Sequence, residues 1–592
     1  MSVPVLNTSA RKILVFVLVL LLLPAVPLKL SAGEARYRVK ARFDIKVPMR
    51  DGVLLSTDVY RPDTSGAFPV ILERTPYNNF SPELGYYFAS RGYVVVLQDV
   101  RGKCDSDGSF YPLVNEAQDG YDAQTWCGTQ PWSNGRVGTM GGSYVGATQW
   151  LPATLGNPHL VCMFPTVAYS NFFHHWVYDG GAFALSVNTM WGALSVSARV
   201  GQEMSAEPLD WDNLLLTLPV GSIPERLGRK VTWWADWLAH PTYGDYWKSL
   251  SVAGHYEQIK VPACNLGGWY DIFIKGTIEN FAGMRRRGGT ETARQGQRLI
   301  VGPWFHTSPS KTTMGQVDFG PQAALNLRDF QLRWFDYWLK GEQNGLDREA
   351  PVRLFMMGEN RWREFDSWPP EPVEVQEFYL HSSLGANSLA GDGFLDNKPP
   401  SKKERVDTYR YDPADPVPSL GGNACCREEI VTQGAYDQRP VERRDDVLVY
   451  TGEPLAGPLI VAGPVEVKLW AASSAVNTDF SAKLVDLHPT GRAINITSGI
   501  LRAPFRDGFD TWHELEPGTP YEFTITLRPT ANVFLAGHRI RVEISSSDFP
   551  RFDRNLNTPG ADIAEKTEMV VADQQVFHEP GRPSRLLLPV LK

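Results

Sequence analysis

The sequence predicts an α/β domain interrupted by a helical insertion and followed by an all-β sandwich of jelly-roll type. Three observations carry this reading. Short, wholly apolar runs alternate with helically spaced segments before residue 368, the arrangement of buried parallel strands and covering helices. Between about 170 and 255 those runs stop and Trp, Tyr, Leu and Ala dominate. After a Pro-rich link at 368–372, short alternating strands with Gly and Pro turns take over and helical spacing almost vanishes. The chain thus divides into a leader (1–32), an α/β domain in two pieces (36–170 and 256–368), a helical cap (171–255) and a C-terminal jelly roll (372–592). Two or three domains also suit a length of 592 residues.

In the leader, Arg11 and Lys12 precede an apolar run over 13–26, and the small residues Ser31-Ala32-Gly33 follow. This is the order of a secretory signal, too short to span a bilayer comfortably and interrupted by Pro24. The expectation is a secreted or periplasmic protein that leaves the membrane once the signal is cut after Ala32. An uncleaved anchor is the alternative. The net charge of -8 offers no basic surface for a phosphate backbone, so nucleic acid is not an expected partner.

Alternation over 37–47, a turn at Asp51-Gly52 and a second strand over 53–60 read as a β-hairpin. Buried strands follow at 69–72, 93–97 and 137–140, and again at 261–266 and 299–301, with helical spacing at 116–126, 147–155 and 327–339. In the C-terminal part, strands are expected at 375–380, 459–469, 521–527 and 539–545. The 18 Trp, 22 Tyr and 28 Phe include many rings in the insertion, which would roof a pocket at the strand ends and suit an apolar ligand. Most of those rings are expected simply to pack helices onto the sheet.

Six cysteines are too few to make the fold depend on disulfides, and their spacing matches no zinc site. No cofactor and no metal ligand set is expected. A Cys104–Cys127 bridge is compatible with export. Cys425 and Cys426 are expected to pair elsewhere or stay free, because neighbouring cysteines bridge only with strain.

The sharpest local signal is Gly138-Thr-Met-Gly141-Gly142-Ser143-Tyr144-Val145-Gly146, between an apolar strand and a helical pattern. A glycine-crowded strand-to-helix turn can hold a serine in a strained backbone position with its Oγ exposed, which is what a nucleophile elbow requires. The last glycine falls three residues after Ser143, so the strict G-x-S-x-G pattern is not met, and a merely structural turn is the alternative. A serine nucleophile needs a base and an orienting acid, ordered Ser, Asp, His along this class of fold. All 11 histidines follow Ser143, so order alone excludes none. Asp271 and His306 stand just past the apolar runs at 261–266 and 299–301, where short loops would carry them to the strand ends. The Tyr144 amide is an expected oxyanion donor. Tyr77, in the turn after the strand at 69–72, could be a second donor or a packed turn residue.

At this point the motifs resemble a known family. Arg74-Thr75-Pro76-Tyr77, Asp99-Val100-Arg101-Gly102, Gly141-Gly142-Ser143-Tyr144-Val145-Gly146, Gly268-Trp269-Tyr270-Asp271 and Gly302-Pro303-Trp304-Phe305-His306 are similar to those of the cocaine esterase and X-prolyl dipeptidyl-peptidase family of serine hydrolases. The resemblance implies an α/β-hydrolase domain with an inserted helical cap and a C-terminal jelly roll. It implies Ser143, Asp271 and His306 as a triad, Tyr77 as an oxyanion donor through its phenol beside the Tyr144 amide, and Trp191 and Phe273 as acyl-pocket residues. Asp99 and Arg101 are expected to pair and hold loops together.

The family includes esterases, α-amino-acid ester hydrolases, acylases of β-lactam type and X-Pro dipeptidyl peptidases. In the amino-acid ester hydrolases an acidic pair closely follows the catalytic aspartate, whereas Asp271-Ile272-Phe273-Ile274-Lys275 contains none. The extra N-terminal helical domain usual in X-prolyl peptidases has no counterpart between the leader and the first hairpin. The expected partner is therefore a small-molecule ester, or an amide, with an apolar or aromatic acyl group. An X-Pro dipeptidyl peptidase, a β-lactam-type acylase and, outside catalysis, an exported carbohydrate-binding protein are the alternatives.

Overall fold

The structure, a computed structural model, describes residues 33–200, 209–306 and 309–592, so the expected signal over 1–32 lies outside the described residues. Ten strands form one sheet: β1 (Val39–Pro48), β2 (Leu54–Pro62), β3 (Phe68–Thr75), β4 (Val94–Asp99), β5 (Ser133–Gly142), β6 (Leu160–Thr166), β7 (Cys264–Tyr270), β8 (Arg298–Phe305), β9 (Val352–Met356) and β10 (Arg361–Phe365). Their spatial order is β1-β2-β4-β3-β5-β6-β7-β8-β9-β10. From β4 to β9 neighbours run parallel, and antiparallel pairs close both edges. The parallel strands read as continuous apolar runs because helices cover both faces of the sheet. One of these helices, α1 (Leu327–Lys340), buries Leu332, Trp334, Phe335 and Leu339 against it. Gly138 on β5 admits this helix: a Cβ there would lie 2.9 Å from the Phe335 ring.

Strands β6, β9 and β10 had no counterpart among the expected runs. β6 holds Pro165 and ends on polar Thr166, and β10 is the exposed edge strand, so neither presents a long uniform apolar stretch.

The region between β6 and β7 is less regularly helical than predicted. It contains two π-helical segments (Phe173–Val177 and Asn188–Ser195), a small hairpin (Tyr178–Asp179 with Ala182–Phe183) and short α-helices such as Thr232–Ala239. The hairpin turns at Gly180 and Gly181, both at positive φ. A Cβ on Gly180 would fall 1.7 Å from the Ile500 carbonyl oxygen, and one on Gly181 would fall 2.2 Å from the Phe505 ring. The glycines are there because the turn is pressed onto the C-terminal strands.

Those strands, from Val373–His381 to Arg585–Leu591, form a predominantly antiparallel, closely paired β-structure. The single strand expected over 459–469 is two, Leu459–Gly463 and Glu466–Ser473, paired with Thr530–Phe534 and Tyr521–Thr526 respectively. Gly463, at positive φ, and Pro464, which has no N–H for the ladder, break it. The architecture is that of an α/β-hydrolase with an all-β C-terminal domain.

The cysteines depart from both expectations. Cys104 and Cys127 are buried and unbridged; each sits in its own packed surroundings, Cys127 in the small core with Val70, Leu72 and Val137. Cys425 and Cys426 pair with each other, because residue 426 takes a positive φ that turns the two side chains together. Asp99 and Arg101 do not pair either. The Arg101 guanidinium reaches Asp119 at 2.7 Å and Asp51 at 2.6 Å, tying the first hairpin turn to a helix, while Asp99 is fully buried elsewhere.

Candidate active site

Ser143 follows β5 directly and precedes the helix Tyr144–Ala153. Its backbone sits at φ 61 and ψ -126, a conformation that costs a non-glycine residue about 1–3 kcal/mol and persists only when surroundings enforce it. Here the Ser143 N–H donates to the Thr166 carbonyl at 3.0 Å, and the Ser143 carbonyl accepts from the amides of Gly146 and Ala147. Small residues make this possible. A Cβ on Gly141 would strike Val145 at 2.1 Å, and one on Gly146 would meet the Ala168 Cβ at 2.8 Å. The glycine displaced from the strict motif is thus required for packing against the segment after β6.

Beneath the turn lies a buried polar cluster. Tyr144 Oη donates to Glu116 at 2.8 Å and accepts from the Leu113 amide at 3.0 Å, while Arg74 binds Glu116 at 2.6 Å. Burial raises the Glu116 carboxyl pKa, against the pull of Arg74. The Tyr144 side chain is therefore committed to the core, and only its backbone amide, at the first turn of a helix where N–H groups lack intrahelical acceptors, is left for other work.

Parallel register brings the other two residues together. β7 and β8 pair with Tyr270 opposite Phe305, so the next residue of each chain, Asp271 and His306, emerge side by side. The strands approach closely because Gly268 and Gly302 leave room for Trp304: Cβ atoms there would fall 2.1 Å from its carbonyl oxygen and 2.5 Å from its ring. Asp271 is fully buried and its Oδ1 lies 2.8 Å from His306 Nδ1. The backbone of this turn is held from the C-terminal domain, where Asn423 Nδ2 donates to the carbonyls of Trp269 at 2.8 Å and Asp271 at 2.9 Å.

Ser143, His306, Tyr77, Trp191 and Phe273 all line one cavity of 420 Å³, together with Trp176, Ile272 and the cysteine pair. Of the site residues expected from sequence, Asp271 and Tyr144 do not line it; Asp271 is buried behind His306. Phe273 stands edge-on to His306 and packs on Trp176 at 4.6 Å, and Trp176 packs on Trp191 at 4.6 Å. Trp191 has a second task, since its indole Nε1 donates to Tyr77 Oη at 2.8 Å. That bond uses an acceptor of the phenol and leaves its proton free to donate. Tyr77 is 43% exposed overall, yet its hydroxyl end is enclosed, and burial pushes its pKa up to about 12, against the Trp191 and Ser143 hydrogen bonds. It stays a neutral donor through the physiological range.

Trp176, Asn423 and the cysteine pair escaped sequence reasoning. The aromatic load of the cap was a signal for Trp176, whereas Asn423 and the cysteines reach the site only through long-range packing. Among the described residues, no carboxylate lines the cavity. Behind its Trp176–Ile272 wall lies a cationic cluster instead: Lys275 and Arg528 each bind Asp179 at 2.7 Å, and, against the push of burial, they hold that carboxyl well below the usual range.

A serine on a strained strand-to-helix turn and a hydrogen-bonded Asp–His pair at neighbouring strand ends, in this fold, define a serine hydrolase of α/β-hydrolase type. Comparison with known proteins makes the assignment particular. Residues 51–308 match the X-Pro dipeptidyl-peptidase (S15) family, and residues 344–587 match the X-Pro dipeptidyl-peptidase C-terminal non-catalytic domain. A cocaine esterase from Rhodococcus sp. (strain MB1 Bresler) is 37% identical over 93% of this chain and 98% of its own. Among solved structures, an α-amino acid ester hydrolase superposes with TM-score 0.82 at 28% identity, covering 96% of this chain and 99% of its own. An aminopeptidase from a marine sediment Thaumarchaeota archaeon reaches TM-score 0.83 at 26% identity over 94% and 97%. The chain belongs to the family of serine hydrolases that joins cocaine esterase to the X-Pro dipeptidyl peptidases. No described helix is long and apolar enough to cross a membrane.

Proposed function

We propose that this serine hydrolase cleaves carboxylic esters with an apolar or aromatic acyl group, with Ser143 as nucleophile, His306 as general base and Asp271 as its orienting acid. One observation carries the reading: the cavity that holds Ser143, His306 and Tyr77 is walled by Trp176, Trp191 and Phe273 and, among the described residues, is lined by no acid.

In this mechanism Ser143 Oγ attacks the ester carbonyl while its proton passes to His306 Nε2. Asp271, at 2.8 Å from Nδ1, fixes the tautomer and stabilises the imidazolium. The developing oxyanion is met by the Tyr77 hydroxyl, which Trp191 has already oriented, and by the Tyr144 amide. Preorganised donors of this kind are worth about 2.7–4 kcal/mol each in comparable sites. His306 then protonates the departing alkoxide, leaving an acyl group on Ser143. Water, activated by the same imidazole, releases the acid.

The peptide alternative draws on the matched family, but an X-Pro substrate presents a cationic amino terminus, and a buried cation needs a carboxylate partner. Among the described residues the cavity wall offers none, and the charges behind it are predominantly positive. A fluorophosphonate probe should label Ser143, and aromatic acyl esters should turn over faster than X-Pro anilides or β-lactam amides. Faster release from X-Pro anilides would replace this reading with the peptidase.

We also infer that the protein is exported, on the basic, apolar and small-residue order of the leader. Sequencing the amino terminus of protein collected outside the cytoplasm should begin at Gly33; a retained leader would favour the anchor.

A further inference from the structure

The cavity holds chemistry that ester cleavage leaves unused. Cys425 and Cys426 form part of its wall, and their sulfurs lie within 4.8 Å of one another and of a ring nitrogen of His306. These residues come from distant parts of the chain, so cysteine spacing along the sequence gives no hint of the cluster. Nδ1 of His306 is engaged by Asp271, which leaves Nε2 as the free ligand atom. The carboxylate–imidazole contact is itself the outer-shell arrangement that orients metal-binding histidines and raises their basicity. Cys426 is exposed and Cys425 partly so, while the other four cysteines are buried. This pair is the one a small reductant can reach.

In the structure the pair is a disulfide. A soluble dithiol can reduce it: the Cys425–Cys426 S–S bond breaks, two electrons and two protons pass from the dithiol to the two sulfurs, and the reductant leaves as its own disulfide. Two thiols and an imidazole then converge on one point, the soft sulfur and nitrogen donor set that zinc, cadmium and similar cations prefer.

We propose that the reduced protein binds a thiophilic divalent cation between Cys425, Cys426 and His306, and that the cation switches hydrolysis off. Binding displaces a proton from each thiol to solvent and engages the His306 Nε2 lone pair. That lone pair is the one that accepts the Ser143 proton, so the loss of turnover rests on the reading of His306 as base. With the disulfide formed there is no thiolate to offer, and the same cation leaves turnover unaffected. The redox state of one surface-accessible pair thereby sets the metal sensitivity of the enzyme.

The test is a cadmium titration of the full chain, once oxidised and once reduced with the dithiol removed. The reduced protein should develop a thiolate-to-cadmium charge-transfer absorption that saturates at one equivalent. Ester turnover should fall at least about tenfold in parallel, and a chelator should reverse both. Neither should occur in the oxidised protein. Reduced Cys425→Ser/Cys426→Ser should lose the absorption and show the same rate with and without cadmium; Cys426→Ser alone, at the exposed position, should weaken binding without threatening the fold. Absorption of undiminished size in the double variant, or none in reduced wild type, overturns the proposal. Saturating absorption with unchanged turnover would keep the cation site and remove His306 from its role as base. The Ser143→Ala variant, lacking no ligand, should bind cadmium as wild type does.

Discussion

The two sides of the cavity are built on different principles. The sheet side supplies Ser143, Asp271 and His306 from the ends of β5, β7 and β8, each fixed within a residue or two of a hydrogen-bonded parallel strand. Its precision is backbone precision: positive φ at Ser143, register between β7 and β8, and glycines where a Cβ would collide. The opposite side is made of Trp176, Trp191, Met190 and the cysteine pair, carried on π-helical turns and on a loop of the C-terminal domain. Its shape comes from rings packing on rings. On the proposed mechanism, reaction chemistry and acyl selection are separately encoded, so substitutions on the two sides should have different kinetic signatures.

The largest expected effect is on the sheet side. Ser143→Ala should lower kcat by about 10⁴-fold or more with an unchanged thermal midpoint or a raised one, since alanine removes the proposed nucleophile; appreciable residual turnover in a steady-state assay would break the division at its root. Tyr77→Phe comes next. It should cost about 10²–10³-fold in kcat with little change in KM, because its donor acts on charge that develops only in the transition state. A change confined to KM would move Tyr77 to the selection side.

On the cap side, Trp176→Leu should alter the preference between benzoyl and acetyl esters by about 10- to 100-fold in kcat/KM, chiefly through the larger acyl group. An equal loss for both esters would show that the aromatic wall serves the chemistry itself. Asn423→Ala tests a place where the C-terminal domain touches the sheet side. Losing its two donors to the turn before His306's partner should reduce kcat about 3- to 10-fold for every ester alike, with about 1–3 kcal/mol of stability lost in denaturant unfolding.

The smallest effect on catalysis is expected at Asp99, where burial raises the carboxyl pKa to about 7, against the amides of Asp105 and Asn79. An acid whose folded pKa lies above its unfolded value destabilises the fold progressively as pH rises from the unfolded value, about 4, through the folded one. Thermal midpoints of wild type should therefore decline across about pH 4–7 more steeply than those of Asp99→Asn, with activity little changed. Parallel declines would remove Asp99 as a source of pH dependence.

The sheet side was far more legible in the sequence than the wall. Ser143, Asp271 and His306 each follow a short apolar run, so local pattern was enough to place them at strand exits. The Gly-Pro break at 463–464 was equally visible but was passed over in favour of continuous alternation. Trp176 stood out only as a member of an aromatic surplus, and Trp191 only through the family resemblance, since nothing local distinguishes a ring that lines a cavity from one that packs a core. Asn423, Cys425 and Cys426 were beyond such reasoning. Their neighbours at the site belong to strands of another domain, and the expectation that adjacent cysteines avoid each other did not allow for the backbone turn at residue 426.

The Gly180–Gly181 turn fixes where the roof is seated on the C-terminal strands. With the Ile500 backbone and the Phe505 ring already occupying the space of any β-carbon, and with Phe183 and Asp553 exchanging hydrogen bonds beside it, the roof is riveted to the sandwich at this turn. The exposed Tyr77 and Cys426 mark where the cavity beneath that seated roof meets the surface.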